Sequence, residues 1–237
     1  MINKGDNNSA SNPKKKEEKM KVLIINPNST EEMTRAIEQT ARANAAPDTQ
    51  ITSLTASKSP RAIETAYDVA IAAFHVLDLI KRNERDFDAF IIACGANPGI
   101  DAAREITNKP VVGIGESGMM TAASVAGRFS VIMPCVPGGT TIGWAGVRAL
   151  GLEGKCTSVR STDKGVLGGF FIEKDEMVEM LYRIGKQAVE EDGASALMIL
   201  CAGMTGTREI LEERLKVPVV DGVISALKTV EQFPPRR

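Results

Sequence analysis

The sequence predicts an α/β protein of two similar lobes, each a mostly parallel sheet flanked by helices. Short apolar runs, such as KVLIIN at 21–26 and ALMILC at 196–201, alternate with stretches of helical composition. Apolar strands of this kind are typical of parallel sheet covered by helices on both faces. A repeat inside the chain then suggests two such units, related by pseudo-two-fold symmetry, with a ligand cleft between them.

The repeat has an offset of 107 or 108 residues. Four pairs of landmarks keep it: Pro27 and Pro134, Cys94 and Cys201, Gly99 and Gly206, and Pro110 and Pro218. Pro27 and Pro134 each follow an apolar strand, and Cys94 and Cys201 each end one. Gly99 and Gly206 each lie in a turn before a helix, and Pro110 and Pro218 each begin a strand. Four landmark pairs at one offset are not expected by chance, so we expect two copies of one fold.

Each element has a local signal. The first strand ends in Asn26–Pro27–Asn28, which is turn chemistry, and Ser29 or Thr30 can cap the helix that follows. The elements predicted from these signals are, in order, strand 21–26, a weaker strand ending at Leu54, helix 62–82, strand 89–94, helix 101–107, strand 111–115, strand 129–133, a helix around 174–192, strand 196–201, helix 207–215 and strand 217–222.

The repeat also divides the chain. We assign 20–115 together with 217–237 to the first lobe and 116–216 to the second. Residues 1–19 contain almost no apolar side chain and no apolar core of a signal peptide, so we expect a disordered N-terminal extension. The last residues, from Pro234, are expected to fray.

Composition excludes several classes of function. Lys and Arg number 29 against 30 Asp and Glu, and the formal charge of −1 argues against nucleic acid and anionic membrane as partners. No apolar run is long enough to span a membrane. With one His, four Cys and no CxxC pair, a structural zinc or another bound metal is not expected. Free cysteines are typical of a reducing compartment, so we expect a cytoplasmic protein.

Two cysteines are the candidate catalytic residues. Cys94 and Cys201 each end a predicted parallel strand just before a helix, where α/β folds bind their ligands and where a helix dipole lowers a thiol pKa. The small residues that follow, Gly95–Ala96 and Ala202–Gly203, leave backbone N–H groups free to approach an oxyanion. Two thiols on opposite sides of one carbon can exchange its proton, one as base and one as acid. The alternative is that both are small core residues.

Several segments resemble the Asp/Glu/hydantoin racemase superfamily, most closely its hydantoin and allantoin racemases. They are INPNST at 25–30, IIACGANPGIDAARE at 91–105, PVVGIGES at 110–117, ILCAGM at 199–204 and VPVVDGV at 217–223. The resemblance implies an active site between two α/β lobes with Cys94 and Cys201 as the catalytic thiols. It also places backbone donors at Gly95, Ala96, Ala202 and Gly203, and Asn26 and Asn28 at the mouth of the cleft.

The sequence departs from that family at two places. Gly95–Ala96–Asn97 stands where hydantoin racemases usually carry Phe-Gly-Asp, and Met133–Pro134–Cys135 stands where a Thr-Thr pair is usual. By resemblance, Pro134 and Cys135 line the second lobe's side of the cleft. Two hydroxyls are therefore missing, which favours an apolar substituent, unless Thr140 and Thr141 replace them.

Other motifs allow two interpretations. Residues 113–118 match GxGxxG, but no carboxylate ends the next strand, so tight packing is favoured over a dinucleotide site. Glu116 can accept a hydrogen bond from substrate or cap a helix. Glu64 and Asp68 can form a solvated helix face or contact substrate. His75 is predicted to be an ordinary helix residue.

Taken together, these features predict a cofactor-independent racemase of a cyclic ureide, such as a 5-substituted hydantoin or allantoin. An acidic amino-acid racemase, a related isomerase or decarboxylase, and a catalytically silent ureide-binding protein remain alternatives. The expected partners are a small-molecule substrate and further copies of the chain in a homo-oligomer.

Overall fold

Two four-stranded parallel sheets form the framework of the protein. The computed structural model describes residues 19–135 and 139–234. The strands are β1 Met20–Asn26, β2 Thr49–Thr55, β3 Ala89–Ile92, β4 Val111–Gly113, β5 Phe129–Met133, β6 Cys156–Ser161, β7 Ala196–Ile199 and β8 Val219–Asp221. The helices are α1 Glu31–Asn44, α2 Ala66–Asn83, α3 Ile100–Ile106, α4 Ile114–Val125, α5 Thr141–Ala149, α6 Val166–Phe170, α7 Lys174–Glu190, α8 Arg208–Leu215 and α9 Gly222–Val230.

The two sheets have the same topology. The strand order is β2-β1-β3-β4 in the first and β6-β5-β7-β8 in the second, and all pairs are parallel. Gly99 and Gly206, matched by the sequence repeat, adopt the left-handed conformation in both lobes, with φ of 74° and 78°. Glycine adopts this conformation without the cost of a side chain. The predicted α/β fold with two similar lobes is confirmed.

Apolar patterning explains the central strands. In β1, Val22, Leu23, Ile24 and Ile25 are fully buried, as expected of a strand with helices on both faces. The predicted strand ending near Leu54 is confirmed as β2. Three elements between residues 116 and 216 were not predicted: α5, β6 and α6. The edge strand β6, CTSVRS, is only partly buried and lacks a continuous apolar run.

Helix α2 begins later than predicted, at Ala66 instead of residue 62. Thr65 and Asp68 form a reciprocal capping box: the Thr65 hydroxyl accepts from the Asp68 amide at 3.1 Å, and the Asp68 carboxylate accepts from the Thr65 amide at 2.9 Å. Asp68 therefore serves as a helix cap, which accounts for this carboxylate without a contact to substrate.

Two helices each follow a strand of one lobe but pack into the core of the other lobe. Helix α4 follows β4 of the first sheet but contributes Met119 and Ala122 to the core of the second, while α9 follows β8 and contributes Val223 and Leu227 to the core of the first. The two helices pack against each other. At Gly222 a Cβ would lie 2.7 Å from the Ile114 carbonyl oxygen, so this close contact requires glycine.

One predicted boundary is corrected by the strand pairing. Residues from 217 onward were assigned to the first lobe, but β8 pairs with β7 in the second sheet, and the chain returns to the first lobe only at Gly222. The reason is that β7, α8 and β8 form a parallel crossover unit equivalent to β3, α3 and β4, so the strand stays with its own sheet.

The predicted N-terminal extension comprises residues 1–19, of which 1–18 lie outside the described residues. Residues 235–237 of the predicted tail also lie outside them. Within 19–135 and 139–234, the helices are too short or too polar for any of them to cross a membrane.

Candidate active site

The two candidate thiols lie at equivalent ends of equivalent strands. Cys94 follows β3 by two residues and Cys201 follows β7 by two residues. Both line one cavity between the lobes, which holds about 550 Å³ of empty space including its open mouth. The lining residues are Asn28, Met33, Ile63, Glu64, Ala93, Cys94, Gly95 and Ala96 from the first lobe, and Met133, Pro134, Cys135, Ile142, Val166, Leu200, Cys201 and Ala202 from the second.

The two thiol-bearing loops are in direct contact. A Cβ at Gly95 would lie 2.4 Å from the Leu200 carbonyl oxygen, and a Cβ at Gly115 would lie 2.1 Å from the Gly95 carbonyl oxygen. The first thiol loop is therefore packed between the second thiol loop and the start of α4. Gly95 is required for this approach, a structural reason that sequence analysis did not identify.

Different hydrogen bonds hold the two loops. In the first lobe, the Asn97 side-chain oxygen accepts from the Gly115 amide at 3.0 Å, which ties the loop to the start of α4. In the second lobe, the Asp221 carboxylate accepts from the Thr205 hydroxyl at 2.5 Å and from the Gly206 amide at 3.3 Å. Both loops are thus fixed to the helix that follows the neighbouring strand.

Burial raises the pKa of both thiols. The pKa of Cys94 rises to about 11 and that of Cys201 to about 12, although neighbouring backbone groups, Ala96 for Cys94 and Gly203 for Cys201, act in the opposite direction. The charge of Cys94 raises the pKa of Cys201 further. The expectation of a pKa lowered by a helix dipole was wrong, because α3 begins six residues after Cys94 and only a three-residue 3₁₀ turn follows Cys201.

The two predicted asparagines differ in position. Asn28 lines the cavity, whereas Asn26 is 1% exposed and lies beneath it. The Asn26 amide nitrogen donates to the Asn28 side-chain oxygen at 2.9 Å and to the Thr34 hydroxyl at 3.0 Å. Asn26 therefore orients Asn28 and the start of α1 and does not face a ligand.

Glu116 lies outside the cavity lining. Its carboxylate accepts from the Gly113 amide at 3.2 Å and pairs with Arg104. Glu116 therefore caps helix α4. Because α4 begins at Ile114, the amide of Gly113 has no acceptor within the helix, and the Glu116 carboxylate supplies one. The prediction of substrate contact by Glu116 is corrected accordingly.

Gly203 and the glycine motif serve packing. A Cβ at Gly203 would be 3.5 Å from the Cys201 sulfur, so this residue lies beside the thiol but outside the cavity lining. In the GxGxxG segment, a Cβ at Gly113 would meet the Asn97 side chain at 2.1 Å and one at Gly118 would meet Met198 at 2.2 Å. The motif's glycines thus accommodate neighbouring side chains and loops, as the packing interpretation predicts.

The second lobe presents an apolar wall. Met133, Pro134 and Cys135 line the cavity, and the Cys135 sulfur lies 3.2 Å from the Ser161 hydroxyl. Thr140 and Thr141 are the cap and first residue of α5 and lie outside the lining, so their hydroxyls do not replace the missing threonine pair.

Part of the cavity lining has no signal in the sequence. Met33, Ile63, Ile142, Val166 and Leu200 line the cavity, but a single apolar residue in a loop or helix carries no signal of a site. Glu64, for which both interpretations were open, also lines it. In the described ranges, no group of three or more His, Cys, Asp or Glu side chains is arranged to hold a metal ion.

Comparison with known proteins places this geometry in a family. Residues 22–230 match the family model described as Asp/Glu/Hydantoin racemase. The chain is 42% identical over 213 residues to a hydantoin racemase from Pseudomonas sp. strain NS671, covering 90% of this chain and 85% of that protein.

Solved structures agree with the sequence match. An allantoin racemase from Klebsiella pneumoniae superposes with a TM-score of 0.86 at 34% identity, covering 90% of this chain and 87% of that one. An allantoin racemase from Pseudomonas fluorescens gives a TM-score of 0.84 at 32% identity, covering 90% of each chain. On the strength of the sequence match over 22–230 and of the shared fold, this chain belongs to the Asp/Glu/hydantoin racemase family.

Proposed function

We propose that the protein is a cofactor-independent racemase of cyclic ureides, with 5-substituted hydantoins as its best substrates. The observation that carries the proposal is the pair of thiols, Cys94 and Cys201, which come from equivalent strand ends and line one cavity. Similarity to proteins named hydantoin racemase and allantoin racemase supports the same class of substrate.

In the proposed reaction, one cysteine acts as a thiolate and removes the hydrogen at the ring carbon next to the carbonyl. The electron pair of that C–H bond moves into an enolate, and the other cysteine, as a thiol, donates its proton to the opposite face of the same carbon. The first cysteine leaves as a thiol and the second as a thiolate, so the reverse reaction follows without a co-reactant. Backbone N–H groups of the thiol loops are the proposed donors to the enolate oxygen.

Coupling between the thiols supports this division of roles. Because the charge of Cys94 raises the pKa of Cys201, a thiolate at one position keeps the other protonated. A two-base racemase requires this state, with one base and one acid on opposite faces of the substrate.

The cavity lining favours a cyclic ureide over a free amino acid. Among the described residues that line it, none is Lys, Arg or His, the side chains that hold a substrate carboxylate. Most of the wall is apolar, including Met33, Ile63, Met133, Ile142 and Leu200, which suits an aliphatic 5-substituent. An acidic amino-acid racemase is therefore the weaker alternative.

Solvent-deuterium exchange tests the proposal. Enantiopure 5-isobutylhydantoin, allantoin and glutamate are incubated with the protein in deuterated water, and exchange is followed by NMR and optical rotation. We expect loss of optical rotation together with deuterium at the ring carbon of the hydantoin. A ureide-binding protein without activity would leave both unchanged, and conversion of glutamate alone would favour the amino-acid alternative. The homo-oligomer and the cytoplasmic location stay predictions.

A further inference from the structure

One carboxylate, that of Glu64, lies in the wall of the thiol-lined cavity. Apart from the cysteines and Asn28, the other described lining residues are apolar or small. No Lys, Arg or His in the ranges 19–135 and 139–234 forms a salt bridge with Glu64. In the described part of the chain, the cavity wall therefore carries an acidic group that has no ion-pair partner.

The opposite lobe fixes this carboxylate in place. Its Oε1 accepts from the amide of Val166, the first residue of α6. A Cβ at Gly165 would lie 2.5 Å from Oε1, so the carboxylate packs closely against the backbone at the start of α6. The second oxygen, Oε2, has no hydrogen-bond donor from the described part of the chain. Among the described residues, Glu64 is thus held through one oxygen, Oε1.

We propose that Glu64 is a specificity-determining residue that selects substrates by the charge of the 5-substituent. The proposal rests on the proposed function, because it concerns the same cavity. A negative charge in a mainly apolar cavity acts strongly on a second charge a few ångströms away, since little water screens it. Glu64 therefore disfavours a substituent that carries a carboxylate, and it favours a cationic substituent.

A pair of isosteric substrates isolates the charge. The substituents carboxymethyl and carbamoylmethyl have nearly the same shape, and only the first is an anion at neutral pH. For the wild-type protein we expect kcat/KM to be about tenfold or more higher for 5-(carbamoylmethyl)hydantoin than for 5-(carboxymethyl)hydantoin. In Glu64→Gln this ratio should fall at least about fivefold, because the charge is removed while the amide oxygen can still accept from Val166.

A matched control variant removes the same charge elsewhere. Glu32 lies beside the lining residue Met33, is exposed and pairs with Arg35. Glu32→Gln should leave the carbamoyl-to-carboxyl ratio unchanged. If Glu64→Gln also leaves the ratio unchanged while it converts both substrates, Glu64 does not select charge and the proposal is overturned.

A cationic substrate separates attraction by Glu64 from a general cost of burying charge. In the wild-type protein, 5-(4-aminobutyl)hydantoin should be used at least as well as its neutral N-acetyl form, whereas desolvation alone would disfavour the cation. This comparison needs no variant, so it decides the proposal even if Glu64→Gln does not fold. Rejection of cation and anion alike would overturn it.

Binding gives a readout independent of racemisation. Bound hydantoin should protect Cys94 and Cys201 from alkylation by iodoacetamide, and the carbamoylmethyl compound should protect at about tenfold or more lower concentration than the carboxymethyl compound. If no hydantoin is racemised but this difference is seen, the proposed function fails while the charge selection holds. Equal protection by both compounds would overturn the charge selection.

Discussion

The two lobes share one topology but hold their thiols differently. In the first lobe a neutral amide, Asn97, ties the loop of Cys94 to α4. In the second lobe a carboxylate, Asp221, caps α9 and at the same time binds Thr205 and Gly206 in the loop of Cys201. The repeat therefore places two thiols symmetrically, while the side chains around them make the two sites chemically unequal.

The asymmetry matters because the proposed reaction uses the two thiols in different states, one as a thiolate and one as a thiol. In the proposed reaction, two thiols must reach one carbon from opposite faces, and Cys94 and Cys201 come from equivalent strands of the two lobes. In that reaction only one of them is ionised at a time, which is supported by the effect of the Cys94 charge in raising the pKa of Cys201. Five measurements test this difference between the lobes, ordered from the largest expected effect to the smallest.

Removing either thiol should have the largest effect. Cys94→Ser and Cys201→Ser should each lower racemisation by about a thousandfold or more, because each removes a general acid–base group that the other cannot replace. Starting from one enantiomer only, each variant should retain some exchange of hydrogen for deuterium, with opposite preference in the two variants. Polarimetry and NMR measure the two effects. Full racemisation by either variant would contradict the two-base scheme.

The pH dependence should be large. A raised pKa disfavours the thiolate at neutral pH, so its fraction increases about tenfold for each pH unit below the pKa of Cys94. We expect kcat/KM to rise about a hundredfold from pH 7 to pH 9, measured with a neutral hydantoin. Cys156→Ser is the control, since Cys156 lies on β6 outside the cavity lining. A flat profile would contradict this expectation, because it would mean that the reactive thiol has a pKa far below about 11.

The same shift sets the sign of a stability effect. The folded protein retains thiol protons that the unfolded chain loses above about pH 8.5, so the free energy of unfolding should fall as pH rises from there through the folded pKa values of about 11 and about 12. Urea unfolding at several pH values measures this decrease. The slope should be shallower in Cys94→Ser, and an unchanged slope would argue against a buried neutral thiol at this position.

The two loop anchors should differ in their contribution to stability. Asp221→Ala removes a helix cap and two loop contacts and should lower the free energy of unfolding by about 2–3 kcal/mol. Asn97→Gly removes the acceptor of the Gly115 amide without straining the left-handed backbone at this position, where φ is 48°, and should cost about 1 kcal/mol. Urea unfolding of both variants at pH 7 measures the difference. Equal effects would show that the carboxylate anchor is no stronger than the amide.

Substrate preference should show the smallest effect. The apolar wall of Met133 and Pro134 buries an aliphatic substituent at about 25 cal/mol per Å², while it offers no hydrogen-bond partner to the ureido arm of allantoin. We expect kcat/KM for 5-isobutylhydantoin to exceed that for allantoin by about three- to tenfold. Replacing both residues by Thr should shift the ratio toward allantoin. If wild-type protein prefers allantoin tenfold, other groups must hold the ureido arm.

The sequence by itself determined the framework and predicted the pair of candidate thiols. Apolar strands identified the sheets, and the repeat identified Cys94 and Cys201 as equivalent strand ends, because strand and turn signals are local and survive in a single sequence. The family resemblance implies the same two cysteines as catalytic residues. Six other residues predicted at the site line the cavity with them: Asn28, Gly95, Ala96, Pro134, Cys135 and Ala202.

Only the tertiary structure decided the rest, since it depends on which distant segments meet. Glu64 joins the site because the opposite lobe brings Val166 to its carboxylate. Glu116, next to a predicted strand end, instead caps α4 and pairs with Arg104. The thiol pKa values rise because the lobes close around the cysteines and remove water, an effect that no local motif records.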